Sequence, residues 1–271
     1  MPELPEVETT CRGIEPHIVN KKIKSVEVRQ RQLRWPVSEE LNKFLPGDKF
    51  TEVSRRGKYL LLKSLSGTLL IHLGMSGSLR IIRANQPPGF HDHVDIAFNN
   101  GTALRYTDPR RFGCMLWIEK NPLQHKLLSS LGPEPLSDEF DDSYLWRKSR
   151  QRKIPVKAFI MDSKVVVGVG NIYANEALFI AGINPVRSAG RISRQRYQNL
   201  TAAIRKVLAQ AIEAGGTTLR DFTDSDGQPG YFKQSLQVYG RAGQACSQCK
   251  GTLKEIRMAG RSTVYCVHCQ K

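Results

Sequence analysis

The sequence begins MPELPEVETT, and the chemistry available there depends on the α-amino group of Pro2. Removal of Met1, which the small neighbouring side chain favours, leaves Pro2 as a free secondary amine followed directly by Glu3. An α-amino group titrates near pH ~8 and a lysine side chain near ~10.4, so the amine suits imine formation at neutral pH. A helix N-terminus would lower the pKa of this amine, whereas Glu3 and Glu6 would raise it. Glu3 can also exchange a proton in the same reaction, although Pro and Glu are equally typical of a helix start.

Three further stretches carry residues that suit chemistry on a nucleic acid. In RRGKYLLL, Lys58 precedes an apolar strand and is either a second proton-transfer group or a solvated edge charge. In HLGMSG and YTDPRRFG, Met75, Arg110 and Phe112 lie in turns. Arginine with apolar side chains can fill the gap that a base leaves when it is extruded from the stack. The alternative is a surface turn with one core aromatic.

A glycine-rich turn precedes a helical pattern in VVVGVGNIYANEALF, where Asn171 is predicted to cap the helix. The third glycine of a dinucleotide fold and strand–helix alternation are both missing, so a nucleotide cofactor is rejected. A phosphate of DNA is the expected ligand of this turn. The preceding stretch SRQRKIPVK is positively charged and is either a solvated face or part of the same interface. Its charged residues are Arg150, Arg152, Lys153 and Lys157.

Four of the six cysteines form two C-x2-C pairs separated by sixteen residues near the end of the sequence. They are Cys246, Cys249, Cys266 and Cys269. This spacing suits one tetrahedral zinc ion, and no secretory signal favours disulfides instead. The residues between the pairs predict a β-hairpin with Arg261 at its tip, hence a zinc ribbon and not the ββα finger. Cys11 and Cys114 are expected to be buried thiols.

Hydrophobic periodicity divides the rest of the chain. A helix is predicted over PELPEVETTCRGIEPHI, followed by six strands between Ile23 and Ile118 that indicate an antiparallel sandwich or barrel. Residues 132–143 are Pro-rich and acidic and are interpreted as a linker. Helices are then predicted after Asn171, ending at Gly182, and over residues 193–215. The stretch TLRDFTDSDGQPGYFKQ is predicted to be a mobile loop.

The charge balance points to a polyanionic partner. The 271 residues include 41 Lys and Arg against 25 Asp and Glu, a formal net charge of +16. Such an excess attracts phosphate backbones. The sequence shows no lipidation motif, signal peptide or membrane-spanning stretch, so nucleic acid is favoured over an acidic membrane.

Together these motifs resemble the bacterial formamidopyrimidine-DNA glycosylases over essentially the whole chain. The matching stretches occur in the family's order: PELPEVE, RRGKYLLL, HLGMSGSLR, HDHVD, YTDPRRFG, VVGVGNIYA, DGQPGYF and the paired C-x2-C motifs. The resemblance implies an α+β protein of two domains. The first is an antiparallel β-sandwich with a leading helix, and the second is a helix-two-turn-helix domain with a β-hairpin zinc finger. The implied boundaries are 1–131, a linker 132–150, a helical domain 151–236 and the ribbon 237–271.

The resemblance also implies an activity and a role for each matching residue. The family excises oxidised purines, such as 8-oxoguanine and formamidopyrimidines, and nicks the abasic site by β,δ-elimination. Pro2 would be the nucleophile, Glu3 the general acid, Lys58 the proton donor for β-elimination and Arg261 the residue serving δ-elimination. Met75, Arg110 and Phe112 would fill the void, and residues 218–231 would cover the flipped base. The implied DNA contacts are His91, Arg110, Arg152 or Lys153, Lys157, Asn171 and Arg261.

The implied setting is a monomer in the bacterial cytoplasm that binds damaged double-stranded DNA, with one structural zinc ion and no membrane. Two alternatives remain at this point. An endonuclease VIII-like glycosylase would prefer oxidised pyrimidines. A non-catalytic zinc protein would bind DNA without cutting it, but it leaves PELPEVE and Lys58 unexplained.

Overall fold

The computed structural model describes residues 2–216 and 236–271. By its internal contacts the chain divides into two compact units. The first contains residues 2–130 and 214–216, and the second contains residues 131–213 and 236–271. Among these residues, no helix combines the length and apolar character needed to cross a membrane.

The first unit starts with the predicted amphipathic helix, α1 (Leu4–Ile18). Pro5 lies in its first turn, where a missing N–H is tolerated. Val7, Ile14 and Ile18 recur at helical spacing and are fully buried. The helix therefore packs one apolar face against the strands that follow.

Among the described residues of the first unit, eight strands form two four-stranded antiparallel sheets, with a short helix α2 (Glu40–Phe44) between the first two strands. The first sheet has the order β1-β6-β7-β5 and the second β2-β3-β4-β8. The strands are β1 (Ile23–Val28), β2 (Phe50–Arg56), β3 (Tyr59–Ser64), β4 (Thr68–His72), β5 (Ser78–Arg83), β6 (Asp92–Phe98), β7 (Thr102–Thr107) and β8 (Cys114–Ile118). Buried residues of both sheets and of α1 share one core, so the predicted sandwich with a leading helix is confirmed.

Two of the eight strands were not expected from the sequence. FTEVSRR and SLRIIR, which form β2 and β5, contain two arginines each, and only Phe50, Val53 and Leu79 of these strands are buried. Both become strands because they pair with strongly apolar neighbours, β3 and β7. Cys11 and Cys114 are buried as expected, and burial raises the pKa of each thiol to about 12.

The second unit is helical before its terminal hairpin. Its helices are α3 (Tyr144–Ser149), α4 (Val156–Met161), α5 (Asn171–Ile180) and α6 (Arg194–Glu213). The helix predicted over 193–215 is α6, and its buried face includes Leu200, Ile204 and Leu208. Gly182, at a φ of 64°, follows the end of α5 as predicted.

Two details of this unit differ from expectation. Asn171 is the first residue within α5 and Gly170 occupies the cap position, so the prediction of an Asn171 cap was wrong. The cap position therefore carries no side chain that could accept a hydrogen bond from the first turn of the helix. The stretch 132–150 contains α3, and the Gly132 N–H donates to the Ser163 carbonyl at 2.8 Å.

The terminal hairpin consists of β9 (Lys254–Met258) and β10 (Arg261–Tyr265), as the sequence predicted. Ala259 and Gly260 form its two-residue turn with φ values of 48° and 75°. Two positive φ values are what a type I′ turn requires, and they suit the twist of paired strands. The Val264 N–H donates to Asn175 Oδ1 at 3.0 Å, which attaches the hairpin to α5.

Candidate active site and nucleic-acid interface

The N-terminal residues form a buried, hydrogen-bonded start to α1. Pro2 is buried and Glu3 is only 2% exposed. The Glu3 N–H donates to Glu6 Oε2 at 2.8 Å, and the Glu3 carboxylate accepts from the Glu6 N–H, which completes a capping box. The geometry therefore gives both glutamates a structural role. It also fixes the Glu3 carboxylate one residue from the Pro2 nitrogen, at the positive end of the helix.

An ion pair fixes this helix against the second sheet. Glu8 Oε2 lies 2.6 Å from Arg55 Nε, and Glu8 Oε1 lies 2.7 Å from Arg12 Nε. Burial opposes ionisation of this carboxyl, but the two guanidinium groups hold the pKa of Glu8 below its ordinary value. Arg55 belongs to β2, the strand that leads directly into the turn carrying Lys58.

Lys58 lies in a two-residue turn between β2 and β3. Arg56 pairs with Tyr59 across the turn, and Gly57 takes a φ of 58°. A positive φ at the first turn residue is the position that glycine fills in type II′ hairpins. The turn therefore holds the Lys58 backbone in one conformation at the end of the second sheet.

His72 was not predicted from the sequence, yet it lies at the same end of the second sheet. It pairs with Tyr59 in register, and the two rings are 4.8 Å apart. The pKa of His72 is lowered to about 4, mainly by burial and further by the positive charges of Lys58 and Arg34. Its Nδ1 accepts from the Gly74 N–H at 3.0 Å, so the neutral ring carries its proton on Nε2. Nothing in the local sequence TLLIHLG indicates that this histidine is buried beside two positive charges.

Three loops meet at one end of the first sheet, because Ser78 and Asp92 both pair with Thr107. We call this the loop end. It consists of residues 74–77 before β5, residues 89–91 before β6 and residues 108–113 after β7. These loops contain Met75, His91, Arg110 and Phe112, which the sequence assigned to DNA contacts and void filling.

The buried carboxylate of Asp108 connects two of these loops. Its Oδ1 accepts from the Ser76 hydroxyl at 2.8 Å, which attaches it to the loop of Met75. Its Oδ2 accepts from the Tyr106 hydroxyl at 3.1 Å and from the Gly113 N–H at 2.9 Å. The sequence indicated only a turn at Asp108, because its partner Ser76 in the other loop lies 32 positions away along the chain.

Glycines allow the same two loops to touch through their backbones. A Cβ on Gly74 would clash with the backbone of Phe112, and a Cβ on Gly113 would clash with the Tyr106 hydroxyl and the His72 carbonyl. Gly74 also has a φ of 64°. No other residue fits at these two positions without moving a loop.

The loop end exposes the side chains that the sequence grouped together. The Phe112 side chain is 44% exposed, and the Arg110 guanidinium lies 4.9 Å from its ring. Phe112 and Met75 line a cleft of about 560 Å³ together with Arg34, His72, Gly74 and Arg111. Among the described residues, His91 Nδ1 is buried without a hydrogen-bond partner. An apolar cleft bordered by arginines suits a base or sugar with its phosphates.

The remaining predicted contacts lie in the second unit. Arg152 and Lys153 are exposed before α4. Lys157 is only 2% exposed and donates to the Ser262 carbonyl at 2.9 Å and to Thr263 Oγ1 at 2.7 Å, so it supports the hairpin. Arg261 is exposed and lines a cleft of about 260 Å³ with Lys157.

Asn171 lies at the start of α5, and the N-terminal end of a helix favours an anion. Its side-chain Oδ1 is buried and has no hydrogen-bond partner among the described residues. The predicted cover of the flipped base, residues 218–231, lies outside the described residues. The predicted catalytic and contact residues therefore belong to both units, with Pro2, Glu3 and Lys58 in the first and Asn171 and Arg261 in the second.

Glu176 is a further residue that the sequence did not reveal. Its carboxylate is buried and accepts three backbone N–H groups, from Gln237 at 2.7 Å, Val238 at 3.0 Å and Tyr239 at 2.8 Å. Burial raises the pKa of this carboxyl despite the three donors. Glu176 therefore attaches the segment that leads into the hairpin to α5.

The four cysteines lie together and fit one zinc ion. Their sulfur atoms all lie within 4.8 Å of one another, with Cys246 and Cys269 at 3.9 Å and Cys249 and Cys266 at 3.5 Å. Tetrahedral zinc with Zn–S bonds of ~2.3 Å requires sulfur atoms roughly 3.8 Å apart. Four thiolates leave no position for a water, so the ion is structural.

Comparison with known proteins places this chain in a family. Residues 1–115 match the formamidopyrimidine-DNA glycosylase N-terminal domain, and residues 131–223 match the H2TH domain of the same proteins. Residues 243–271 match a zinc finger found in FPG and IleRS. All three matches follow the order of the elements described above.

Individual relatives agree with these matches over their whole length. The formamidopyrimidine-DNA glycosylase of Stutzerimonas stutzeri is 60% identical, covering 100% of both chains. A complex between a Lactococcus lactis FPG mutant and a Fapy-dG containing DNA aligns with a TM-score of 0.93 at 34% identity over 100% of both chains. MutM (FPG) from Thermus thermophilus aligns with a TM-score of 0.89 at 37% identity, covering 99% of this chain and 98% of that one. This chain therefore belongs to the formamidopyrimidine-DNA glycosylase family.

Proposed function

We propose that this protein is a base-excision repair enzyme, a DNA glycosylase and abasic-site lyase that removes oxidised purines from duplex DNA. The observation that carries the proposal is the buried start of α1, where Pro2 and the hydrogen-bonded Glu3 and Glu6 precede a sandwich that also presents the loop end. The glycosylase activity for which the relatives are named and the DNA in the solved complexes support the same activity.

The first step is nucleophilic attack by the Pro2 nitrogen, freed by removal of Met1, on C1′ of the damaged nucleotide. Glu3 donates the proton that the departing base or the opening sugar requires. Because Pro2 is a secondary amine, the resulting imine is cationic. The iminium acts as an electron sink and acidifies the C2′ hydrogen.

The second step cuts the strand by two eliminations. In the first, the C2′ proton passes to water, the C3′–O bond breaks and the phosphate leaves, with Lys58 donating a proton to the departing oxygen. In the second, which Arg261 assists, the C4′ proton is lost, the C5′–O bond breaks and the other phosphate leaves. The thiolate-saturated zinc ion supplies no chemistry and holds the hairpin that carries Arg261. Its ligands are Cys246, Cys249, Cys266 and Cys269.

Binding must offset the few kcal/mol that extrusion of a nucleotide costs. Met75, Arg110 and Phe112 fill the gap in the stack. Phosphate contacts come from the family-matched residues His91, Arg152 or Lys153, Asn171 and Arg261, whereas the buried Lys157 acts by supporting the hairpin that carries Arg261. The net charge of +16 supports this role.

The domains and setting follow the family. Residues 1–131 form the catalytic domain, 132–150 the connection, 151–236 the helical DNA-binding domain and 237–271 the ribbon. The protein acts as a monomer on chromosomal DNA in the cytoplasm.

Borohydride trapping tests the proposal. The mature protein is incubated with a duplex carrying one 8-oxoguanine opposite cytosine and then reduced, and adducts are mapped by denaturing gel and peptide analysis. We expect an adduct at Pro2 in the mature protein. No adduct should form at this position when Met1 is retained or in the Pro2→Gln variant. Tight binding and bound zinc without an adduct or a strand cut would refute the enzyme and leave a DNA-binding protein. Faster reaction on oxidised pyrimidines than on 8-oxoguanine would indicate endonuclease VIII-like specificity.

A further inference from the structure

An exposed aromatic side chain in the loop end has no role in the mechanism above. Phe90 is 86% exposed, the largest exposed fraction among the large hydrophobic side chains that the structure describes. Its ring meets the ring of His91 edge-on, with centroids 5.0 Å apart. Since folding buries almost none of this ring, its contribution to stability is small, and a binding role would account for its position.

The loop that carries Phe90 is held in place by a buried guanidinium. Arg105, which is fully buried on β7, donates to the carbonyls of Gln86 at 2.9 Å and Pro87 at 3.1 Å. The same group donates to Asp95 Oδ2 at 2.7 Å and to Asp92 Oδ2 at 3.2 Å. A buried arginine thus crosslinks the loop to the middle of the first sheet.

A second set of bonds closes the loop beside Phe90. The Gly89 N–H donates to Asp92 Oδ2 at 2.7 Å, and the Asp92 N–H donates to the Gly89 carbonyl at 3.1 Å. Phe90 is therefore presented on a short, hydrogen-bonded turn. A binding group that is already ordered loses little conformational freedom when its partner arrives.

The position of Phe90 in the fold indicates which partner this is. The Asp108 N–H donates to the His91 carbonyl at 3.0 Å, and His93 Nε2 lies 2.7 Å from the Asp108 carbonyl oxygen. The Phe90 turn thus lies directly against the loop of Arg110 and Phe112. An exposed ring close to the charged side chains of this loop matches the alternation of sugars and phosphates along a DNA strand.

We propose that Phe90 is a further DNA contact, which packs its ring on the deoxyribose of a nucleotide flanking the lesion while His91 binds the neighbouring phosphate. This inference rests on the proposed function, because the loop end must face the duplex. The contact extends the bound segment beyond the void-filling residues. It also differs in kind from the phosphate contacts, since a phenyl ring displaces no counterions.

Salt dependence separates such a contact from the charged ones. Each phosphate contact that is lost reduces the slope of log K against log salt concentration by about 0.9. Loss of an uncharged contact lowers affinity equally at every salt concentration. The Kd for a duplex with a non-cleavable abasic analogue is therefore measured across a salt series for the wild type, Phe90→Ala, Phe90→Trp and Arg110→Ala.

We expect Phe90→Ala to raise Kd roughly fivefold with an unchanged slope, as for an aromatic contact with nucleic acid. Phe90→Trp should restore the affinity, and Arg110→Ala should reduce the slope. The matched control is Leu65→Ala, because Leu65 is 77% exposed in the same unit but lies in the β3–β4 turn, at the opposite end of the second sheet from His72. Leu65→Ala should bind like the wild type.

Three results would overturn the inference: Phe90→Ala binding as tightly as the wild type, a changed slope in that variant, or an equal loss in Leu65→Ala. In the first of these cases, loss of association with another protein would assign Phe90 to a protein partner. Borohydride trapping by the wild type runs in parallel. A missing wild-type adduct refutes the proposed function, whereas an intact adduct with unaltered Phe90→Ala binding refutes only the contact.

Discussion

The loop end of the first unit and the zinc hairpin of the second unit present their predicted DNA-binding side chains by different physical means. The loop end rests on two four-stranded sheets with one shared core, and a single buried carboxylate, Asp108, connects two of its loops. The hairpin has only two strands, and its cluster of buried apolar side chains is small. That cluster contains Phe179, Val238, Leu253 and Val264 with Cys246 and Cys266.

The two regions depend on different sources of stability. A two-stranded hairpin is marginal in water, so the hairpin depends on its metal for a defined shape. A loop above an existing sheet needs only enough hydrogen bonds to select one conformation, because the core already supplies the stability. Removing zinc should therefore unfold the hairpin, whereas removing the Asp108 carboxylate should only misplace the loops of the loop end.

Zinc removal is expected to have the largest effect. Zinc binding to such sites contributes about 10–16 kcal/mol of folding free energy at neutral pH, so chelation or Cys266→Ser should unfold the hairpin and lower affinity for damaged duplex by more than roughly 100-fold. Amide hydrogen exchange should show loss of protection in β9 and β10 while β6 and β7 stay protected. Persistent protection of β9 without bound zinc would contradict the comparison.

Arg105→Met is expected to have the next largest effect and to act on the first unit. It removes the buried guanidinium from the carboxylates of Asp92 and Asp95, which keep Thr107 and Arg29 as partners, so we expect a loss of about 3 kcal/mol of unfolding free energy, the low end for a broken buried pair. Urea unfolding, followed by exchange in β6 and β7, measures the change. Arg12→Met is the control, because Arg12 is largely exposed and its ion pair with Glu8 is worth ~1 kcal/mol or less. Equal losses of unfolding free energy in the two variants would show that the buried ion pairs of Arg105 contribute no more than an exposed ion pair.

Asp108→Asn tests the loops without removing the sheet beneath them. An amide retains one acceptor oxygen, so two buried donors lose theirs, at a cost of about 1–3 kcal/mol. We expect Asp108→Asn to form the borohydride-trapped adduct more slowly, while the amide hydrogens of β6 and β7 stay protected from exchange. Asp141→Asn, at an exposed carboxylate near Arg147, should change neither quantity measurably. Global unfolding of Asp108→Asn would place Asp108 among the groups on which the fold depends.

Acid is expected to weaken the first unit slightly through His72. The folded pKa of about 4 lies below the unfolded value near ~6.5, so the unfolded state binds the proton first as pH falls. His72 therefore costs nothing above about pH 7.5 and lowers the unfolding free energy by about 0.8 kcal/mol between about pH 7.5 and 6. The His72→Gln variant should lack this component. An identical pH dependence in the variant and the wild type would place the titration elsewhere.

Local patterns predicted the parts of this protein that depend on near neighbours. Helical spacing predicted α1 and α6, cysteine spacing predicted the zinc site, and positive-φ turn chemistry fits the hairpin of Ala259 and Gly260. The strands β2 and β5 escaped prediction because their pairing partners, and not their own side chains, determine them.

Within the site, the same limit applied to residues that act through distant contacts. Asp108 meets Ser76 across 32 positions of sequence, and Glu176 meets Gln237 across 61, so no local spacing reveals either. His72 looks like an ordinary strand residue until burial and the charge of Lys58 set its pKa. Asn171 was assigned to the cap because its residue type favours that position, but Gly170 takes it.

The two buried thiols of the first unit affect how well the enzyme resists oxidation under the conditions that produce its substrates. Oxidised bases arise under oxidative stress, and peroxides attack thiolates, not thiols. With pKa values of about 12, Cys11 and Cys114 are ionised in only roughly one molecule in 10⁵ at neutral pH. The unit that holds the Pro2 amine is thereby protected from thiol oxidation at both of its cysteines.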